Sequence, residues 1–158
     1  MTGRDGMPGA ITITGARATD HRRSDEYWAI FNAYPAPFAR ADVAIYLGGA
    51  SAIDALALLW LSSEAQASLI VATSGTLADQ PSDARRAVAS ARKHDRLSEL
   101  VELRHPRHPS TKSYHARNRW MVDRSDLVIG FPKGASSGTW YTLNYAAEQG
   151  KPRLIHPI

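Results

Sequence analysis

At 158 residues, with 44% hydrophobic and 22% charged side chains, the chain is long enough to bury one core without staples and too short for two ordinary domains. A mean hydropathy of -0.31 and the lack of any apolar run near the ~20 residues that cross a bilayer exclude a membrane-spanning helix, and zero cysteines exclude disulfides and thiolate metal sites, as fits a cytoplasmic setting. The formal charge of +4 is unevenly spread: residues 85–119 hold ten Lys/Arg against Asp95, Glu99 and Glu102, a local +7 that reads either as a phosphate-attracting surface or as a solvated helix face and loop.

Residues 1–9 carry charges and glycines but no apolar core, so they read as a flexible lead-in to a single domain over residues 10–158. AITIT at 10–14 predicts a first strand, broken by Thr14-Gly15-Ala16-Arg17. Residues 22–34 place Tyr27, Ile30, Phe31 and Tyr34 at helical spacing before Pro35 and Pro37 interrupt the pattern. DVAIYL at 42–47 is a second apolar run, and Gly48-Gly49-Ala50-Ser51 leads directly into a helical pattern over 52–60. SLIVA at 68–72 predicts the third strand, 82–93 a polar helix with Ser82 as its cap, and 97–103 a weaker fourth strand. Residues 104–113, with two prolines and no apolar period, read as a loop. A helix over 114–124, a strand over 127–131, a helix over 139–149 closed by Gly150 and a last strand over 153–156 complete the chain.

Apolar strands alternating with helices predict an α/β fold, a Rossmann-like three-layer sandwich with a mainly parallel sheet. Ligands of such sheets bind outside the carboxyl ends of the strands, where three small-residue turns converge. They are Gly15, Ala16 and Arg17; Gly48, Gly49 and Ser51; and Ser136, Ser137, Gly138 and Thr139, the last group opening a helix whose unpaired N–H groups suit a phosphate. None of the turns is a GxGxxG fingerprint or a GxxxxGK[ST] loop, which disfavours a dinucleotide dehydrogenase and a P-loop ATPase.

Thr12-Ile-Thr-Gly-Ala-Arg17, Gly48-Gly49-Ala-Ser-Ala-Ile-Asp54, Arg117-Asn118-Arg119 and Ser137-Gly138-Thr139 with Thr142 resemble, in order, the motif series of the SMF/DprA-LOG (SLOG) superfamily. The resemblance is closest to the Rossmann-like domain of the DprA family, with its VGSR turn, SGxAxGID turn, RNR helix and SGSLIT loop. It implies a nucleotide-related ligand at the sheet's carboxyl edge: a nucleotide, a nucleotide-derived small molecule, or the phosphates of single-stranded DNA. It adds Arg117 and Asn118 to the expected site, implies a homodimer, and calls for no cofactor. LOG-type hydrolases of the superfamily, which cleave the N-glycosidic bond of nucleoside monophosphates, carry an acid where this chain has Thr142, and a hydroxyl is a poor general acid or base.

Asp54 is the carboxylate left for catalysis in a glycosidase reading; its structural alternative is a helix N-terminal residue that favours the dipole. Arg17 and Arg117 suit bidentate phosphate contacts; the structural alternative for Arg117 is pairing with Asp123 or Asp126 to tie its helix down. Trp140 and Tyr141 offer faces to a base, or else to the core. His105, His108 and His115 lack further ligands and predict no metal site. Four tryptophans would serve either core packing or self-association.

Overall fold

The computed structural model describes residues 6–104 and 110–158. Six strands, β1 (Ala10–Gly15), β2 (Ala44–Gly48), β3 (Ser68–Ser74), β4 (Leu97–Leu103), β5 (Leu127–Phe131) and β6 (Arg153–Ile155), form one sheet in which every pairing is parallel, ordered β4-β3-β2-β1-β5-β6. Five helices connect them: α1 (Ser24–Ala33), α2 (Ile53–Glu64), α3 (Ser82–Lys93), α4 (Thr111–Asp123) and α5 (Ser137–Glu148). Helices α1, α2 and α3 cover one face of the sheet; α4 and α5 cover the other. This is the Rossmann-like α/β architecture that the alternation of elements predicts.

The period of two in β1 divides the two faces chemically. Ile11 and Ile13, fully buried, join Ile45, Leu47, Phe31, Trp60 and Leu61 in the larger core under α1 to α3. Thr12 points the other way, and its hydroxyl lies 2.7 Å from that of Ser125 at the end of α4. On the same side the Ser74 hydroxyl donates to Ser113 at the start of α4 at 2.6 Å, and a smaller apolar cluster of Val122, Val128, Leu143 and Ala146 packs under α4 and α5. The α4 face is thus held by buried hydroxyl pairs as well as by apolar contact, each pair satisfying polar groups that burial would otherwise penalise.

Strands β1 to β4 step outward one at a time, whereas the connection through α4 carries the chain back across the sheet to place β5 on the far side of β1. The strand order reverses there, and the loops after β1 and β5 diverge to opposite faces, leaving a crevice at the carboxyl edge.

Most element boundaries move by one to four residues from expectation, and three helix starts have an identifiable local cause or consequence. Helix α4 begins at Thr111, inside the loop read over 104–113, rather than at Tyr114, because Ser110 accepts from the Ser113 N–H while the Ser113 hydroxyl accepts from the Ser110 N–H, a reciprocal cap built from two serines. Helix α3 is capped by Pro81 with no side-chain bond, and Ser82 is already its first helical residue. Helix α5 starts at Ser137, two residues early, so Gly138 and Thr139 belong to its first turn.

Candidate nucleic-acid interface

The turns after β1, β2 and β5 are knitted together by main-chain bonds. Ala16 N–H donates to Phe131 at 3.0 Å, tying the β1 turn to β5; Ile53 N–H donates to Ala16 at 3.2 Å, tying the start of α2 to the β1 turn. The β2 turn is fixed from α3: both Asp83 oxygens accept from the Ser51 hydroxyl at 2.8 Å, and one accepts from the Ala52 N–H at 2.9 Å. These bonds hold Ala52 at a φ of 66°, a sparsely populated positive-φ conformation that costs a non-glycine residue about 1–3 kcal/mol.

Between these turns and the first turns of α4 and α5 lies a cavity of about 460 Å³. It brings together Gly15, Ala16, Arg17, Asp54, Arg117, Asn118, Ser136, Ser137, Gly138 and Thr139, with Thr14, Ala18, Ala50, Thr111, Tyr114, His115 and Lys133 completing the wall. Three of the expected residues stand outside the lining. Ser51 turns its hydroxyl to Asp83, and Gly49 packs against Thr73 and Gln80. Gly48 lies behind the wall and gives it room: a Cβ there would sit 2.8 Å from both Arg117 Cζ and Asp54 Oδ2. Gly48→Ala is therefore expected to lower stability by about 1–3 kcal/mol, whereas Gly138→Ala, whose Cβ meets nothing within 4 Å, stays within about 0.5 kcal/mol of wild type. Urea midpoints of the two variants measure the contrast.

Arg117 and Asp54 form the floor, at 3% and 6% exposure. Arg117 Nε donates to Asn118 Oδ1 at 3.1 Å, which orients the guanidinium, but its buried Nη1 has no hydrogen-bond partner among the described residues. Burial lowers the pKa of Arg117, and the Asp54 carboxylate opposes that effect. Burial pushes Asp54 up to about 6 against the combined pull of Arg117, the Ala50 N–H and Arg17, with Asp83 adding to the rise. Neither Asp123 nor Asp126 engages Arg117 by hydrogen bond: Asp123 accepts from Tyr145, and Asp126 accepts from the N–H groups of Gly9 and Ala10.

Above the floor, Arg17 lies 4.4 Å from the centre of the Tyr114 ring and Arg117 lies 5.6 Å from it, so one ring contacts two cations. Opposite, the first intrahelical bond of α5 runs from Trp140 N–H to Ser136 C=O, leaving the N–H groups of Ser137, Gly138 and Thr139 outside the helical ladder. The Ser136 hydroxyl donates to Lys133 C=O at 2.6 Å and closes the preceding loop. Thr142 is fully buried and donates to Gly138 C=O, which leaves Asp54 as the sole carboxylate lining the cavity among the described residues.

The described residues of the basic segment 85–119 do not form one patch. Arg85, Arg86, Arg92 and Lys93 ride on α3, Arg96 donates to Ala65 and Ala67, and of the described cations in this segment only Arg117 lines the cavity, with Arg119 one half-turn further along α4. Trp140 donates to Gly134 C=O and packs on the smaller core, whereas Tyr141 stacks on His115. Tyr114 and His115 are wall residues that pattern reading missed; the aromatic placed three residues before Arg117, one helical turn away, was the available signal. His105 and His108 lie outside the described residues, and no cluster of three metal-ligating side chains occurs among those described.

A protein-family model described as DNA recombination-mediator protein A matches residues 6–158. The chain belongs to this family. Solved structures similar to it include two of DNA processing protein A. DNA processing protein A from Helicobacter pylori, reported for its single-stranded DNA binding mode, has a TM-score of 0.65 and 19% identity over 92% of this chain and 64% of that one. DprA from Streptococcus pneumoniae has a TM-score of 0.67 and 19% identity over 92% of this chain and 49% of that one. The chain thus spans less than two thirds of either relative's length. No curated protein matches it. Among the described residues, no helix is long and apolar enough to cross a membrane.

Proposed function

We propose that this protein binds single-stranded nucleic acid, holding a backbone phosphate in the cavity between the β1 turn, the start of α4 and the start of α5. The observation that carries this reading is Arg117: a cation 3% exposed, with one buried nitrogen lacking an acceptor, on the floor of an open cavity. A buried charge left incompletely paired is costly, and an arriving anion offsets that cost. A phosphate fits best, since the guanidinium fork, the N–H groups of Ser137, Gly138 and Thr139, Lys133 and Arg17 approach it from different sides. The single-stranded DNA reported for the Helicobacter pylori relative supports a strand over a free nucleotide as the natural ligand. Family resemblance carries a homodimer as a further expectation, which sedimentation velocity decides.

Fluorescence anisotropy with a labelled oligothymidylate tests the reading. Affinity should fall steeply between 50 and 200 mM salt, with a log–log slope of about −0.7 per phosphate engaged. No binding at low salt, or binding indifferent to salt, would remove the proposal.

Asp54 favours a second reading, hydrolysis of a nucleotide N-glycosidic bond, with its raised carboxyl protonating the departing base while water attacks the sugar. Incubation with nucleoside monophosphates followed by chromatography should then show free base, lost in Asp54→Asn. Base release that survives in Asp54→Asn assigns the chemistry elsewhere.

A further inference from the structure

Resting on the reading above, a strand with one phosphate on Arg117 must leave the cavity over its rim, and one side of that rim is unlike the others. His115, which lines the cavity, lies flat on Tyr141 of α5: the ring centres are 3.7 Å apart and the planes 8° from parallel. Arg119 Nη1 donates to the Tyr141 hydroxyl. His115 and Arg119 are four residues apart on α4, hence on one face, and Tyr141 meets both from α5. All three side chains are half-buried rather than core, and Tyr141 belongs to neither apolar cluster. Burial, Arg119 and Arg17 all lower the His115 pKa, which favours the neutral ring.

One turn further on, the pattern changes sign. Tyr145, the next α5 residue on this seam, donates to Asp123 at 2.6 Å, and Asp123 stands four residues beyond Arg119. The seam therefore reads, from the cavity outward, as a ring pair, a guanidinium and a carboxylate. A ring pair beside a guanidinium is what a base and its phosphate recognise, and a carboxylate is what a phosphate avoids.

We propose that the α4–α5 seam is a second subsite for single-stranded nucleic acid, in which the base next to the cavity nucleotide stacks on the His115–Tyr141 pair, its phosphate meets Arg119, and Asp123 ends the track after one nucleotide.

Titration of the full chain with 5′-phosphorylated thymidine, then with the di-, tri- and tetranucleotides, tests this. Wild type should gain about tenfold in affinity from one nucleotide to two. A 2-aminopurine should be quenched at the second position and not at the third. Tyr141→Ala should remove the gain and leave mononucleotide affinity unchanged, while Tyr141→Phe keeps most of it. The subsite is overturned by a dinucleotide that Tyr141→Ala binds as tightly as wild type, by no gain from one nucleotide to two in wild type, or by an equal loss at all lengths, which marks a structural role. Oligonucleotide binding that depends on Arg117 but ignores Tyr141 overturns the seam and leaves the cavity reading standing; no binding of any length overturns both.

Discussion

Arg117→Met should weaken binding of a single-stranded oligonucleotide by about 10- to 100-fold, the loss expected for a charge-assisted hydrogen-bonding group withdrawn from a phosphate. The protein should nonetheless fold. Methionine fills much of the volume of the arginine stem, and the one carboxylate left behind, Asp54, already sits at about 6 with Arg117 pulling it down. Without that cation Asp54 rises further toward its neutral form, so the variant removes one buried charge and lessens the other, which limits the cost of leaving Asp54 behind. Arg117→Lys should fall between wild type and methionine, because an ammonium supplies charge but not the fork, and the contact to Asn118 is lost. The salt dependence should become shallower by about 0.7 in log–log slope for one lost phosphate contact. Wild-type affinity in Arg117→Met, with circular dichroism and urea midpoint unchanged, would mean that the anion sits elsewhere.

What pattern reading recovered here was whatever repeats locally. Continuous apolar runs read at 42–47, 68–72 and 127–131 mark strands because both faces of a parallel sheet are covered, and the elements between them follow from helical spacing. The start of α4 was lost because its reciprocal cap uses Ser113 in the position where a Glu or Gln is the usual signal. Fold class was legible from alternation; strand order was not, since the crossover through α4 that makes the crevice leaves no local trace.

The site divides along the same line. Small residues at strand ends marked the turns after β1, β2 and β5, yet composition alone does not separate a glycine that touches a ligand from one that makes room for a side chain. Gly48 belongs to the second kind: its missing Cβ is what allows Asp54 and Arg117 to face one another. Ser51 was expected at the site because it follows two glycines, and the partner that turns it away, Asp83, is 32 positions distant in sequence. Tyr114 and His115 were hidden for the converse reason. Each is ordinary for a helix face, and only the convergence of α4 with the β1 turn and α5 places Arg17 over one ring and Tyr141 on the other.

The second large effect is a pH dependence carried by Asp54. Its folded pKa of about 6 lies above the ordinary 3.8, with burial as the main cause. Between those two values the folded protein keeps a proton that the unfolded chain has released, so the stability contributed by Asp54 falls as pH rises from about 4 to about 6. A shift of about two pKa units corresponds to roughly 3 kcal/mol, fully lost above the folded pKa and fully retained below the unfolded one. Asp83, whose pKa is lowered by the Ala52 N–H and Ser51 hydroxyl despite burial, works in the opposite direction at the acid end. Asp54→Asn removes only the first contribution. Urea denaturation from pH 4 to 7 should therefore show wild type losing stability relative to Asp54→Asn across the window, with the gap constant above pH 7. Anion binding shares the same proton. An ionised Asp54 repels a phosphate in the cavity, and a bound phosphate holds Asp54 in its neutral form, so binding takes up a proton and affinity for an oligonucleotide weakens as pH rises through 6. The phosphodiester itself does not titrate there, so a flat profile in Asp54→Asn beside a falling one in wild type isolates the carboxyl. Parallel profiles in the two proteins would show that Asp54 is not within electrostatic reach of the bound strand.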